Sequence, residues 1–212
     1  MRSQGRYSKW LLPSHMDHPT QRHVDWLDAI MEVINVGRVA GLPVMLDHIH
    51  PKGPREWGLS KATTQLIDGA WRDGHQVYIN MHSYEGYSAY VTLVPRWALA
   101  REEVPGQSAA DDFPPVDYTD MLGNLEERLL DPELREMIRA DAEYEMIRQG
   151  GAENLIIVDF PEPTFIGKSL ADVVEERGGD LFDTIIWLQM NGLDQPGGVL
   201  WMAKAVGMID IE

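Results

Sequence analysis

The sequence predicts an α/β fold built on a parallel sheet, and three observations carry that reading. Apolar positions between Val24 and Ala40 recur at helical spacing, and the short apolar run Val44-Met45-Leu46 follows at once. A second helical stretch begins near Ser60, and it too gives way to an apolar run, Val77-Tyr78-Ile79. Neither run alternates with polar residues, which is how strands buried on both faces read. Helix and strand succeeding each other across short joints is the pattern of a sheet with crossover helices.

In the first helix, Trp26, Leu27, Ile30, Met31, Val33, Ile34 and Val36 supply the apolar positions, Gly41 ends it, and Pro43 opens the strand. Ser60 is placed to cap the second helix, which carries Leu66, Ile67, Ala70 and Trp71 and stops near Gly74. The second strand runs Val77–His82. Arg101 to Pro115 then holds three of the thirteen prolines and reads as a surface loop. Met121–Leu130 and Pro132–Gln149 read as helices, the latter with Asp131 as its cap and proline at its first position. We take 101–149 as an excursion from the sheet, within one domain spanning 1–212. Leu155–Val158 predicts a third strand resuming the pattern, followed by helices from Lys168 to Glu176 and over Leu181–Met190. The apolar tail Gly197–Gly207 reads as helical, with no evident closing element after it. Three strands and so long an excursion exclude a complete (β/α)₈ barrel, which takes about 250 residues. A small open sheet or a partial TIM-like barrel remains.

The 212 residues carry a net charge of −16, with 34 acidic against 18 basic residues. This opposes binding to nucleic acid or to an anionic membrane surface. There is no cysteine, so neither disulfides nor thiolate chemistry enter, which suits a cytoplasmic setting. No apolar stretch approaches the ~20 residues of a membrane span, and Met1–Arg6 lacks a secretory core.

Two histidines, His48 and His50, stand where the first strand breaks into the loop Gly53-Pro54-Arg55-Glu56-Trp57-Gly58. Residues two apart on a strand share a face, so both rings can turn to one ion. His82 closes the next strand, and parallel strands bring their C-terminal ends to one side. Imidazoles meeting there are good zinc ligands. A lone histidine at a strand end is ordinarily a hydrogen-bonded structural residue; the pair at matched strand ends is what argues for more. Asp47, one residue from His48, faces the other way and is expected on backbone. His15, His18, His23 and His75 fall in polar loops or beside helix ends and read as solvated. Glu126-Glu127 and Glu175-Glu176 read as solvated helix faces. No phosphate-cradling glycine loop and no serine nucleophile elbow is found.

At these residues the chain resembles the N-acyl-D-amino-acid deacylase (D-aminoacylase) family of the amidohydrolase superfamily. Asp47-His48-Ile49-His50-Pro51-Lys52-Gly53-Pro54-Arg55-Glu56-Trp57-Gly58 is similar to that family's Ser-His-Leu-Lys-x-x-Gly-x-x-x-Trp-Gly after its fifth barrel strand. Asn80-Met81-His82-Ser83-Tyr84 and Leu93-Val94-Pro95-Arg96-Trp97 resemble its next segments. Leu129–Arg135 and Phe165–Ala171 follow in order, and Met1–Gly5 looks like the tail of a segment after strand four. The resemblance implies a zinc-dependent hydrolase of the amide bond of N-acyl-D-amino acids, with this chain an internal fragment covering about strands 5 to 7 of a partial barrel. It implies metal binding by His48 and His82, and substrate contact by Tyr84 and His50. His50 stands in place of the usual lysine, and Asn80 and Ser83 in place of aspartate and proline. The family's first-strand His-x-His, its bridging ligand and its catalytic aspartate have no counterpart, so no catalytic residue is assigned in this chain. The expected partner is a small N-acyl amino acid, with self-association through exposed sheet edges. A noncatalytic α/β remnant and a hydantoinase-like cyclic-amide hydrolase are the alternatives.

Overall fold

The computed structural model of the chain describes residues 9–10, 26–101 and 117–211. Met1–Gly5, His15, His18, His23 and most of the proline-bearing loop lie outside them. The chain divides into two compact units. One holds the described residues up to Glu85 together with Val206–Ile211; the other runs from Gly86 to Ala205.

The first unit is the parallel α/β part. Its sheet has the order β1-β2-β3, with β1 at Lys9–Trp10, β2 at Val44–Leu46 and β3 at Val77–Ile79. β2 pairs in parallel with both neighbours, Met45 facing Lys9 on one side and Tyr78 on the other. Helix α1 (Trp26–Ala40) precedes β2, and α2 (Ser60–Arg72) precedes β3, as the periodicity predicts. Trp26, Ile30, Val33 and Ile34 of α1 pack against Val44, Leu46, Ala70 and Val77. Burying each such aliphatic side chain contributes about 1.5–3 kcal/mol. Close approach of α1 to β2 depends on Gly37, where a Cβ would lie 2.2 Å from Val44 Cγ1. The sequence-predicted pair of helix and strand, twice repeated, is therefore present. β1 adds a third parallel strand that the sequence reading did not foresee.

The cap of α2 differs from expectation. Ser60 is the first residue of the helix rather than its cap, and no side chain at Leu59 substitutes for it. Asp210 does so from the far end of the chain: its Oδ2 accepts from the Gly58 N–H at 2.8 Å and its Oδ1 from the Ser60 N–H at 3.0 Å. The segment after β6 thus has a closing role that its sequence did not announce.

The second unit is built on an antiparallel sheet of order β4-β6-β5, with β4 at Tyr87–Ala89, β5 at Leu155–Asp159 and β6 at Leu200–Ala203. Two corrections follow. Leu155–Val158 is a strand, but it pairs antiparallel with β6 and does not extend the parallel sheet. The tail read as helical contains β6, in which Trp201 and Ala203 are buried and Met202 is exposed, the alternation of a strand. Around this sheet lie α3 (Arg96–Leu99), α4 (Met121–Leu129), α5 (Pro132–Arg148), α6 (Leu170–Arg177) and α7 (Leu181–Met190). Leu125, Ile138, Ala142, Phe182, Ile185, Leu188 and Trp201 form the centre of its core. The predicted cap at Asp131 is present, its carboxylate accepting from the Glu133 and Leu134 N–H groups. Ser169 and Asp172 form a reciprocal capping box on α6.

Among the described residues the structure is α/β with no closed barrel, and no helix is long and apolar enough to cross a membrane.

Candidate metal and substrate site

Parallel pairing sets the geometry of the first unit's sheet end. Beyond the strands the two chains stay joined, the Asn80 N–H donating to Leu46 O at 2.9 Å and the Ile49 N–H to Asn80 O at 3.1 Å. Residues 47–50 and 80–84 therefore leave the sheet side by side from its C-terminal end.

The side chains across this junction are tied as well. Asn80 Nδ2 donates to Asp47 Oδ1 at 2.7 Å, and Asp47 is buried. Asp47 thus has a side-chain partner, and one carboxylate facing one amide avoids the repulsion that two carboxylates would meet.

His50 and His82 come together. Their rings stack with centroids 3.9 Å apart and planes 29° apart. His50 Nε2 lies 2.9 Å from the His82 main-chain nitrogen and 2.9 Å from its carbonyl oxygen. His50 is 1% exposed, and its Nδ1 is buried with no hydrogen-bond partner. His82 is half-buried, and its Nδ1 accepts from the Tyr84 N–H at 3.4 Å. Burial, then the neighbouring His50, lower the His82 pKa below the ordinary histidine value, with His48 and Lys52 adding to the effect. The ring is therefore neutral at pH 7; while Nδ1 accepts from the Tyr84 N–H, Nε2 carries the proton, and Nε2 offers a lone pair only in the tautomer that gives up that bond.

His48 differs from His50. β2 ends at Leu46, so the two-residue strand period no longer applies at 48 and 50. His48 adopts a left-handed backbone with φ 53° and is exposed, whereas His50 is buried. The pair expected to share a face does not. His48 stands in solvent yet is near enough to His82 to depress its pKa. Tyr84 is 70% exposed, with its ring 6.2 Å from that of His82. His75, expected to be solvated, is half-buried with Nε2 lacking a partner.

The loop Gly53–Gly58 closes on itself. Glu56 Oε2 accepts from the Lys52 N–H at 3.0 Å, and the Glu56 and Trp57 N–H groups donate to Gly53 O. Gly58, at φ 89°, turns the chain into α2, a conformation that favours glycine. Asp210 then holds the turn. Sequence reasoning missed this residue because nothing local to Asp210 marks its partner 152 positions away.

Neutral imidazole is a proper zinc donor, and His48 and His82 carry accessible rings. The number falls short. A catalytic zinc site takes three protein ligands, and among the described residues no group of three histidine, aspartate or glutamate side chains could hold a metal ion. These residues alone do not make a complete zinc centre.

No family model matches the chain. A curated N-acyl-D-glutamate deacylase from Alcaligenes xylosoxydans xylosoxydans is 33% identical over 94 residues, covering 39% of this chain and 19% of that protein. Among solved structures, the chain is similar to N-acyl-D-glutamate deacylase from Bordetella bronchiseptica, complexed with zinc and a phosphonate inhibitor. The TM-score is 0.48 and the identity 18%, over 86% of this chain and 26% of that one. A D-aminoacylase with a binuclear metal center gives a TM-score of 0.48 and 18% identity, over 87% of this chain and 26% of that one. Likeness at that level adds nothing to the fold described above. The chain thus spans about a fifth of the curated relative's length, at 19%, and about a quarter of those structures, at 26%. The chain is thus similar, over part of its length, to part of an N-acyl-D-glutamate deacylase.

Proposed function

We propose that this chain is part of a metal-dependent hydrolase that cleaves the amide bond of N-acyl-D-amino acids, and that it is incomplete for catalysis by itself. The observation that carries the reading is the shared sheet end: His48 and His82, each inside a deacylase-like motif, leave neighbouring parallel strands on the same side. Zinc is the metal assigned, because the donors on offer are neutral imidazoles. His48 and His82 supply those donors, and the remaining ligands come from beyond the described residues. Tyr84 is the residue assigned to substrate contact, a reading supported by its exposure and by its ring lying 6.2 Å from that of His82. A partial barrel belongs to the same proposal, with β2 and β3 as two of its neighbouring strands and without Leu155–Val158, which pairs antiparallel with β6. A cysteine-free, acidic chain suits a cytoplasmic setting for it.

A second reading, a noncatalytic remnant of such an enzyme, is favoured by one observation: the lack of a three-ligand metal group among the described residues. Assay of free amino acid released from N-acetyl-D-glutamate and other N-acyl-D-amino acids, with and without zinc, tests both. The chain alone is expected to release none and to bind zinc weakly enough that a chelator strips it. Measurable release overturns the incompleteness and the remnant reading together. Zinc retained through chelation contradicts the two-ligand account. A chain that binds no zinc favours the remnant.

A further inference from the structure

We infer that His50 is a positioning residue that fixes His82, and that it contacts neither metal nor substrate itself. The inference rests on the proposed role of His82, but its geometry stands separately. His50 is 1% exposed, so no ligand in solvent reaches its ring. Its Nε2 sits 2.9 Å from both main-chain polar atoms of His82. One ring nitrogen makes one of these bonds at a time: bare, it accepts from the N–H; protonated, it donates to the carbonyl. With Nδ1 protonated, the tautomer this inference assigns, Nε2 is bare and the bond it accepts from the N–H seizes the backbone of His82 itself. The stacked rings, 3.9 Å apart, then limit how far the His82 side chain can swing.

The two nitrogens of His50 leave nothing for a ligand. One is engaged with the main chain, and Nδ1 is buried without a partner. A buried nitrogen left unpaired costs stability, and the remaining tether and stack are what the residue provides in exchange. A lysine at this position, as in the resembling motif, has three donors and no acceptor and would set a charge against His82. Orienting groups of this kind typically change metal affinity by about 10–100-fold when removed.

The test uses ¹⁵N-labelled chain, His50→Leu and His50→Gln, the last because its side-chain oxygen can stand near the place of Nε2. In the unsubstituted, metal-free chain a scalar coupling across the hydrogen bond is expected between His50 Nε2 and the His82 amide. In His50→Leu the His82 amide should exchange about tenfold faster or more, while the Asn80 amide, bonded to Leu46 O, stays protected. Zinc affinity should fall about 10–100-fold in His50→Leu and recover in His50→Gln. Unchanged His82 exchange in His50→Leu overturns the inference, as does unchanged zinc affinity in a chain that binds zinc. If His50→Leu also loses Asn80 protection, the coupling in the unsubstituted chain decides: its presence supports the tether and its absence overturns it. A chain that binds no zinc but shows the coupling and the faster exchange removes the metal role of His82 and leaves the tether standing.

Discussion

The two units of this molecule stabilise themselves in different ways. In the second unit, polar groups are spent on structure. Asp131 and Asp180 cap helices, the Arg135 and Arg139 guanidinium groups cover the Phe182 ring at 5.0 and 4.5 Å, and both arginines pair with acids at the start of α7. In the first unit, polar groups gather at one end of a thin parallel sheet. There a histidine holds a left-handed backbone, another is buried with an unpaired nitrogen, and a third has a lowered pKa. The second unit also holds a left-handed non-glycine residue, Asp120, and a buried Trp201 Nε1 with no partner, so what sets the first unit's sheet end apart is the gathering of three histidines there. The ends of parallel strands are also where open α/β folds assemble ligand sites.

Three perturbations sharpen this contrast. The largest effect belongs to the second unit's core. Phe182→Ala removes a fully buried ring and is expected to cost about 3–5 kcal/mol, read as faster amide exchange in α5 and α7. A cost under 1 kcal/mol would mean that this core is not what holds the unit together.

Next is an alkaline effect in the same unit. Burial pushes the Tyr87 hydroxyl up to about 12, partly offset by Arg148, and the hydroxyl donates to Gln149 Oε1. A group whose folded pKa lies above its unfolded value near 10 contributes stability that is complete below pH 10. That contribution is lost as pH rises toward 12. The loss amounts to about 2–3 kcal/mol across the interval, and Tyr87→Phe should flatten the slope. Denaturant unfolding followed from pH 8 to 12 measures it. An equal slope in both chains would assign the alkaline loss to other groups.

The smallest effect is in the first unit. Asp210→Ala leaves the Gly58 and Ser60 N–H groups without their acceptor and should cost about 1–3 kcal/mol, with fraying confined to the first turn of α2. Fast exchange at Ser60 and Lys61 with α1 unchanged is the expected pattern. Unaltered exchange at Ser60 would show that solvent satisfies this helix end as well as Asp210 does.

Much of the fold was legible because its cues are local. The 3.6-residue spacing from Trp26 to Ile34, the Asp131-Pro132 start of α5 and the Lys168-Ser169 start of α6 each specify an element within a few residues. What escaped depends on distant partners. Leu200–Ala203 is a short apolar run that fits helix or strand equally, and pairing with β4 and β5 decides it. Asp210 caps a helix that begins 150 residues earlier in the chain. At the site, the sequence singled out His48, His50, His82 and Tyr84, and parallel pairing does bring their segments together. The strand period misassigned the faces of His48 and His50 because β2 stops at Leu46, before either of them. A φ of 53° at His48 is a backbone event that residue type alone does not announce.

The central claim is that His48 and His82 offer their rings to one metal ion from a common sheet end, with His50 supporting from behind. Zinc titration followed by ¹⁵N resonances of the histidine side chains tests it most directly. The account predicts that His48 and His82 shift together along one weak saturation curve, and that His50 shows no direct coordination shift. Separate curves for His48 and His82, or a coordination shift at His50, would contradict it.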